Sequence, residues 1–183
     1  MKSWKTLSRT TILDHSIFLR VENHVIQLPD GRILEKWPWV IARDFVNVIP
    51  VTEDGRLLVF RQGKYGYKGT SIAPVGGYLE PGESPLEGAR RELLEELGYE
   101  AGEMIALNTT LMAPNLGFST GNPFIARKLR FVGSSESDDL EEQEPLEISV
   151  DELEAALLDG SIKVTSWYAS FANALLWLKQ EGS

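Results

Sequence analysis

The sequence predicts an α/β fold, a mixed sheet with helices packed on both faces. Three observations predict it. Segments with the two-residue period of strands run from Ile17 to Gln62. A capped helix stands mid-chain between Ser84 and Gly98. Beyond two more strand-like segments, the period changes to that of helices for the rest of the chain.

Ile17 to Leu28 has strand character and is broken by Pro29-Asp30-Gly31, a turn signal. Ile33 to Ala42 is its expected hairpin partner. Phe45 to Val51 and Arg56 to Gln62 flank Glu53-Asp54-Gly55 and predict a second hairpin. Ser84-Pro85-Leu86-Glu87 is a capping box with proline at the first helical position, so a helix starts at Ser84. Gly98 stands where a left-handed cap ends it. Leu86, Leu93 and Leu97 share the side expected to face the core, with Ala89, Arg90 and Leu94 at its margins. Ile105 to Met112 and Pro123 to Val132 are further strands. Ser149-Val150-Asp151-Glu152 is a second capping box, opening a helix to about Asp159. Ser166 to Gln180 forms a last helix with Trp167, Phe171, Leu175 and Leu178 on one face.

The whole chain narrows the function. Its 183 residues, 43% apolar, are enough for one domain, or a domain with a small appendage. There is no cysteine, which excludes a disulfide framework, a thiolate zinc site and a cysteine nucleophile. Neither a signal-peptide core nor a run of membrane-spanning length is seen, so the expected location is the cytoplasm. A formal net charge of −9 argues against nucleic-acid and lipid surfaces as partners. A nucleotide substrate stays open, because metal ions can supply local positive charge.

Chemistry concentrates on the central helix. Glu92, Glu95 and Glu96 stand at i, i+3 and i+4 and cluster within one turn. Three crowded carboxylates need a positive charge among them, and an all-oxygen set of this density suits Mg²⁺ or Mn²⁺. Glycines and prolines upstream (Pro74, Gly76, Gly77, Pro81, Gly82) form a tight loop whose backbone carbonyl can approach such an ion. Arg91, one turn before Glu95, can also reach Glu83, and the two read as a structural pair shaping the loop.

From Gly77 the chain reads Gly77, five residues, Glu83, seven residues, Arg91-Glu92-Leu93, then Glu95-Glu96 and Gly98-Tyr99. Seven fixed identities at ordinary residue frequencies arise by chance on the order of once in 10⁸ windows. This stretch resembles the Nudix hydrolase box, G-x5-E-x7-R-E-U-x-E-E-x-G-U with U a bulky aliphatic, and departs from it mildly at Tyr99. The resemblance implies an α/β/α sandwich with a mixed sheet. It also implies metal ligands at the Gly76 carbonyl, Glu92, Glu95 and Glu96, with Gly77, Glu83, Arg91 and Gly98 structural. A Nudix-fold isomerase of the isopentenyl diphosphate type would rely on a catalytic cysteine, which is missing. A non-catalytic ligand-sensing Nudix domain is disfavoured by the intact glutamates.

Further features resemble the ADP-ribose pyrophosphatase branch: Leu28-Pro29-Asp30-Gly31, Arg61-Gln62, Pro114 sixteen residues past Gly98, and Glu142-Gln143-Glu144 ahead of a helix. Carried over, the branch implies Glu142 as the general base, with Glu95 next in line, and Glu144 as a further metal ligand. Substrate contacts are expected at Arg61, Lys64, Trp37, Trp39 and Pro114, and Arg43 is a further candidate phosphate clamp. A homodimer is expected through residues 1–44, a hairpin region ahead of a hydrolase domain over 45–183. Ala73 stands where the branch commonly has glutamate, and Lys64 where it usually has arginine, losing a bidentate fork. The expected reaction is Mg²⁺-dependent cleavage of the diphosphate of ADP-ribose or a similar nucleotide sugar. GDP-mannose, dinucleoside polyphosphates and nucleoside triphosphates are the competing substrates. Ser134 to Glu144 is expected to be an acidic loop, and His15 and His24 ordinary surface or strand residues.

Overall fold

The computed structural model describes residues 3–133 and 142–181. Met1–Asp44 with Leu111–Thr120 make one compact unit, and Phe45–Thr110 with Gly121–Ser183 make another. The acidic residues 134–141 lie outside the described residues.

In the first unit, β1 (Lys5–His15), β2 (Leu19–Gln27) and β3 (Ile33–Ile41) form an antiparallel sheet in that order. The β2–β3 hairpin forms as expected. Its turn is closed by the Leu28 and Gly31 amides, and Asp30 accepts from the Arg32 N–H at 3.1 Å. The eleven-residue β1 is an addition that sequence patterning does not signal. Every one of its residues is exposed, so no burial alternation marks it. On β2 the buried positions are Glu22, His24 and Ile26, a largely polar inner face.

The second unit contains β4 (Phe45–Pro50), β5 (Leu57–Gln62), β6 (Ser71–Ala73), α1 (Pro85–Leu97) and β7 (Tyr99–Ala106). The chain leaves it at the two-residue β8 (Thr110–Leu111) and returns along β9 (Thr120–Phe131). β10 (Gln143–Ile148), α2 (Val150–Asp159) and α3 (Thr165–Glu181) complete it. β4 runs parallel to β9, and β9 is antiparallel to β7, which gives the expected mixed sheet. A second sheet has the order β10-β5-β6. Helix α1 packs on β4 and β7, α3 packs on β4, and α2 packs on α3.

The expected hairpin of β4 with β5 is corrected. Its turn does form, with the Gly55 N–H donating to Thr52 O and Thr52 Oγ1 donating to Asp54 at 2.6 Å. Beyond a single bridge between Val51 and Leu57, however, the strands part into different sheets. Val46 to Pro50 are all buried, so β4 needs a partner inside the core and finds it in β9. The core gathers Val46, Val48, Ile49, Leu57, Val59, Leu93, Ile125, Leu153 and Phe171. Each large apolar side chain fully buried there contributes about 1.5–3 kcal/mol. Two further corrections concern element limits. The strand expected from Ile105 begins earlier, directly after the Gly98 cap, and Leu86 is exposed instead of facing the core. Ala89 and Leu93 carry that face of α1.

Candidate active site

Both ends of α1 are fixed by local chemistry. Ser84 Oγ accepts from the Glu87 N–H at 3.3 Å, and Glu87 Oε2 accepts from the Ser84 N–H at 2.9 Å. Gly98, at φ 70°, donates back to Leu94 O at 2.8 Å. The helix therefore presents Glu92, Glu95 and Glu96 in one turn: Glu92 buried, Glu96 half-buried and Glu95 exposed.

The Gly76-Gly77 loop closes over these carboxylates. A Cβ on Gly77 would stand 2.4 Å from Glu92 Oε1, and one on Gly76, at φ 150°, would stand 2.2 Å from Val46 O. Only glycine permits this double approach. Val75 O and Gly77 O accept from the Val48 and Val46 amides at 2.7 and 3.0 Å. The Gly76 carbonyl, between them, is not part of that ladder. The Gly76 N–H donates to Glu96 Oε2 at 2.8 Å.

Arg91 supplies the positive charge the crowded carboxylates need. Its Nε and Nη2 form a fork on Glu83, at 2.8 and 2.9 Å. Its Nη1 serves Glu92 Oε1 at 2.8 Å and Glu95 Oε2 at 2.9 Å. Nη2 also reaches Tyr78 O at 3.2 Å. The Glu83 carboxylate above all, with Glu92 and Glu95, holds the guanidinium above its ordinary pKa despite partial burial. With its donors committed in this way, Arg91 binds loop to helix.

Among the described residues, no three acidic or imidazole groups converge as a ready coordination cluster. Glu92 and Glu95 are turned to Arg91, and Glu96 to Gly76. The donor set still fits a hard divalent cation, since three carboxylates and a carbonyl outside any ladder all offer oxygen.

Next to this array is an open cavity of about 810 Å³ lined by Arg61, Gly63, Lys64, Tyr65, Gly69, Thr70 and Glu142 to Glu144. Arg61 and Lys64 are thus brought to one cavity, along with Glu142 and Glu144. Arg61 Nη1 is paired with Glu144 Oε2 at 2.7 Å, and the Lys64 ammonium lies 5.7 Å from the Trp167 ring centroid. Gln143 and Glu144 belong to strand β10, where a loop was expected, in register with Gln62 and Arg61. Gln143 also reaches Glu96 Oε1 at 3.4 Å, so the cavity and the carboxylate array adjoin.

A family model described as the NUDIX domain matches residues 42–168. The chain belongs to the NUDIX family. It is a pyrophosphohydrolase of that family, whose members generally use divalent metal ions. It is similar to the ADP-ribose pyrophosphatase of Bacillus subtilis, at 30% identity over 96% of each chain. It is also similar to the ADP compounds hydrolase NudE of Escherichia coli, at 32% identity over 78% of this chain and 77% of that one. The methanol dehydrogenase activator of Bacillus methanolicus is 24% identical over 93% of this chain and 97% of that one. A solved structure of an ADP compounds hydrolase shares the fold, with a TM-score of 0.83 and 23% identity over 100% of this chain and 97% of that one.

The other residues singled out in this Nudix chain lie in its first unit. Trp37, Trp39 and Pro114 line a cavity of about 200 Å³ with Trp4, Arg9 and His24 among its other walls. Trp37 Nε1 donates to Asn115 O at 2.8 Å, and its ring meets Trp4 edge to face at 5.4 Å. Trp39 stacks on His24, centroids 5.2 Å apart. Arg43 lies over the Phe18 ring at 5.9 Å. His24 is buried, 2.9 Å from the Glu22 carboxylate, whose pKa is lowered first of all by that hydrogen bond. Two features escaped sequence reasoning: this Glu22–His24 pair and the contact of Gln143 with Glu96. A polar residue recurring on the inward period of β2 was the available signal for the first. For the second there was none, since β10 starts on Gln143-Glu144-Pro145, which carries no strand pattern.

No helix among the described residues is long and apolar enough to cross a membrane.

Proposed function

We propose that the protein hydrolyses the diphosphate linkage of ADP-ribose or a similar nucleoside diphosphate sugar, with Mg²⁺ (or Mn²⁺) as cofactor. The observation that carries this reading is the junction at Gln143, where the α1 carboxylates meet a cavity carrying Arg61 and Lys64. A diphosphate requires both sides of that junction, cations for its outer oxygens and an acidic array for metal. The relatives named as hydrolases of ADP-ribose and ADP compounds support the choice of substrate.

Glu92, Glu95, Glu96 and the Gly76 carbonyl are the proposed ligands. Divalent cations bound there would neutralise phosphate oxygens and lower the pKa of the attacking water. Glu142, at the cavity wall, accepts a proton from that water as its oxygen bonds to phosphorus. The bridging P–O bond breaks, and the leaving oxygen stays on the other phosphate. For ADP-ribose the products are AMP and ribose 5-phosphate. Arg61 and Lys64 orient the phosphates. Glu144 would serve as a further ligand once a phosphate displaces it from Arg61.

We place dimerisation on the first unit, where Leu7, Ile12 and Leu13 of the edge strand β1 are exposed. Trp37, Trp39 and Pro114 then contribute to substrate binding from a paired chain. Light scattering should give twice the chain mass; a monomer at micromolar concentration rules this arrangement out.

Purified protein with Mg²⁺ should be tested against ADP-ribose, GDP-mannose, NADH, diadenosine polyphosphates and nucleoside triphosphates. ADP-ribose is expected to turn over fastest, and faster cleavage of another compound overturns the substrate assignment.

A further inference from the structure

We infer that Gln143 is a positioning residue for Glu96, tying the strand next to the proposed base to the carboxylate array. The inference rests on the reading of that array as a cation site.

Glu96 is held at both oxygens. The Gly76 N–H donates to Oε2 at 2.8 Å, and Gln143 Nε2 donates to Oε1 at 3.4 Å. One donor comes from the loop before α1 and the other from the first residue of β10, so the carboxylate is fixed from two separate parts of the chain. The register of β10 decides which side chain does this. Glu144 lies opposite Arg61 and pairs with it, whereas Gln143 lies opposite the buried Gln62. Alternation along the strand therefore sends Glu144 to the cavity cation and its neighbour to the helix.

The residue type suits the task. Arg91 Nη1 serves Glu92 and Glu95, while Gly76 and Gln143 serve Glu96. A glutamate at position 143 would set another anion against an already crowded group. A lysine or arginine would compete with a metal for the same oxygens. An amide donates without charge, so it can orient Glu96 equally well before and after a cation arrives. Support of this kind behind a ligand typically changes metal affinity about 10–100-fold.

The test is Mn²⁺ titration calorimetry on the substrate-free protein, with thermal melts and steady-state kinetics alongside. Gln143→Met keeps the length of the side chain and loses the donor; Gln143→Ala serves as a second variant should Met disturb β10. Wild type should bind Mn²⁺, and each variant should bind about 10-fold more weakly with an unchanged melting temperature. With ADP-ribose at fixed Mg²⁺, kcat should fall more than KM rises. Unchanged Mn²⁺ affinity in both variants, beside normal wild-type binding, overturns the inference alone. Weaker binding matched by a lower melting temperature makes the role structural and overturns it too. If wild type binds no Mn²⁺, the cation-site reading itself falls.

Discussion

Arg61 Nη1 lies 2.7 Å from Glu144 Oε2 across the β5–β10 pair, so the cation proposed to hold a substrate phosphate is occupied by a carboxylate. Both side chains are about half exposed, at 49% and 60%, and a pair in such a setting is worth about 0.2–1 kcal/mol. A doubly charged phosphate can displace it at little cost. If a substrate phosphate binds Arg61 as proposed, its binding is linked to release of Glu144.

Glu144→Gln weakens that competition. The KM for ADP-ribose at saturating Mg²⁺ is expected to fall about 2–5-fold. The Mg²⁺ concentration for half-maximal rate should rise, because a displaced glutamine offers a poorer ligand. Initial-rate titrations of each component against the other check both, and an unchanged KM removes the competition from the account.

Glu142→Gln should lower kcat by about 10²–10⁴-fold with little change in KM, the pattern of a lost general base. Pre-steady-state and steady-state rates on ADP-ribose give the comparison. If kcat holds, the base lies elsewhere, and Glu95, exposed on α1, is the next position to replace.

The helix caps set an acid limit on stability. Ser84 holds the Glu87 carboxyl below its ordinary pKa, first through its hydroxyl, and the Ser149 backbone N–H does the same for Glu152. A depressed carboxyl pKa means stability that is complete above the ordinary glutamate range and lost as pH falls through the lower folded value. Ser84→Ala should therefore lower Tm by about 2–4 °C at neutral pH. Melts repeated near about pH 3 should show the gap from wild type narrowing. A gap that widens in acid contradicts this assignment.

What could be read from sequence follows what each element depends on. The caps of α1 and α2 and the i, i+3, i+4 glutamates are short-range chemistry, and both capping boxes form as their residues suggest. The turn at Thr52 to Arg56 is equally local and forms too. The partner of β4 is not local, because β9 lies more than seventy residues away and is chosen by burial. Strand β1, exposed throughout, leaves no periodic trace. Strand β10 opens on Gln143-Glu144-Pro145, which carries no strand signal, and its pairing with β5 extends the strand back to Gln143. At the site, the sequence names candidate residues but not the directions of their side chains. The family resemblance points to Glu142 and Glu144, yet the side chain that reaches the helix glutamates from this stretch is Gln143.

The central claim is that the α1 carboxylates make this chain a cation-dependent hydrolase of a nucleoside diphosphate sugar. The most direct measurement is release of AMP from ADP-ribose under saturating Mg²⁺ by wild type and by Glu96→Gln, with melting curves for both. Wild type is expected to release AMP and ribose 5-phosphate, and the variant to lose about 100-fold or more of that rate. The variant should remain folded, since the amide keeps the side chain's size and one acceptor oxygen while a crowded like charge is removed. Turnover near that of wild type by a folded Glu96→Gln protein would contradict the claim.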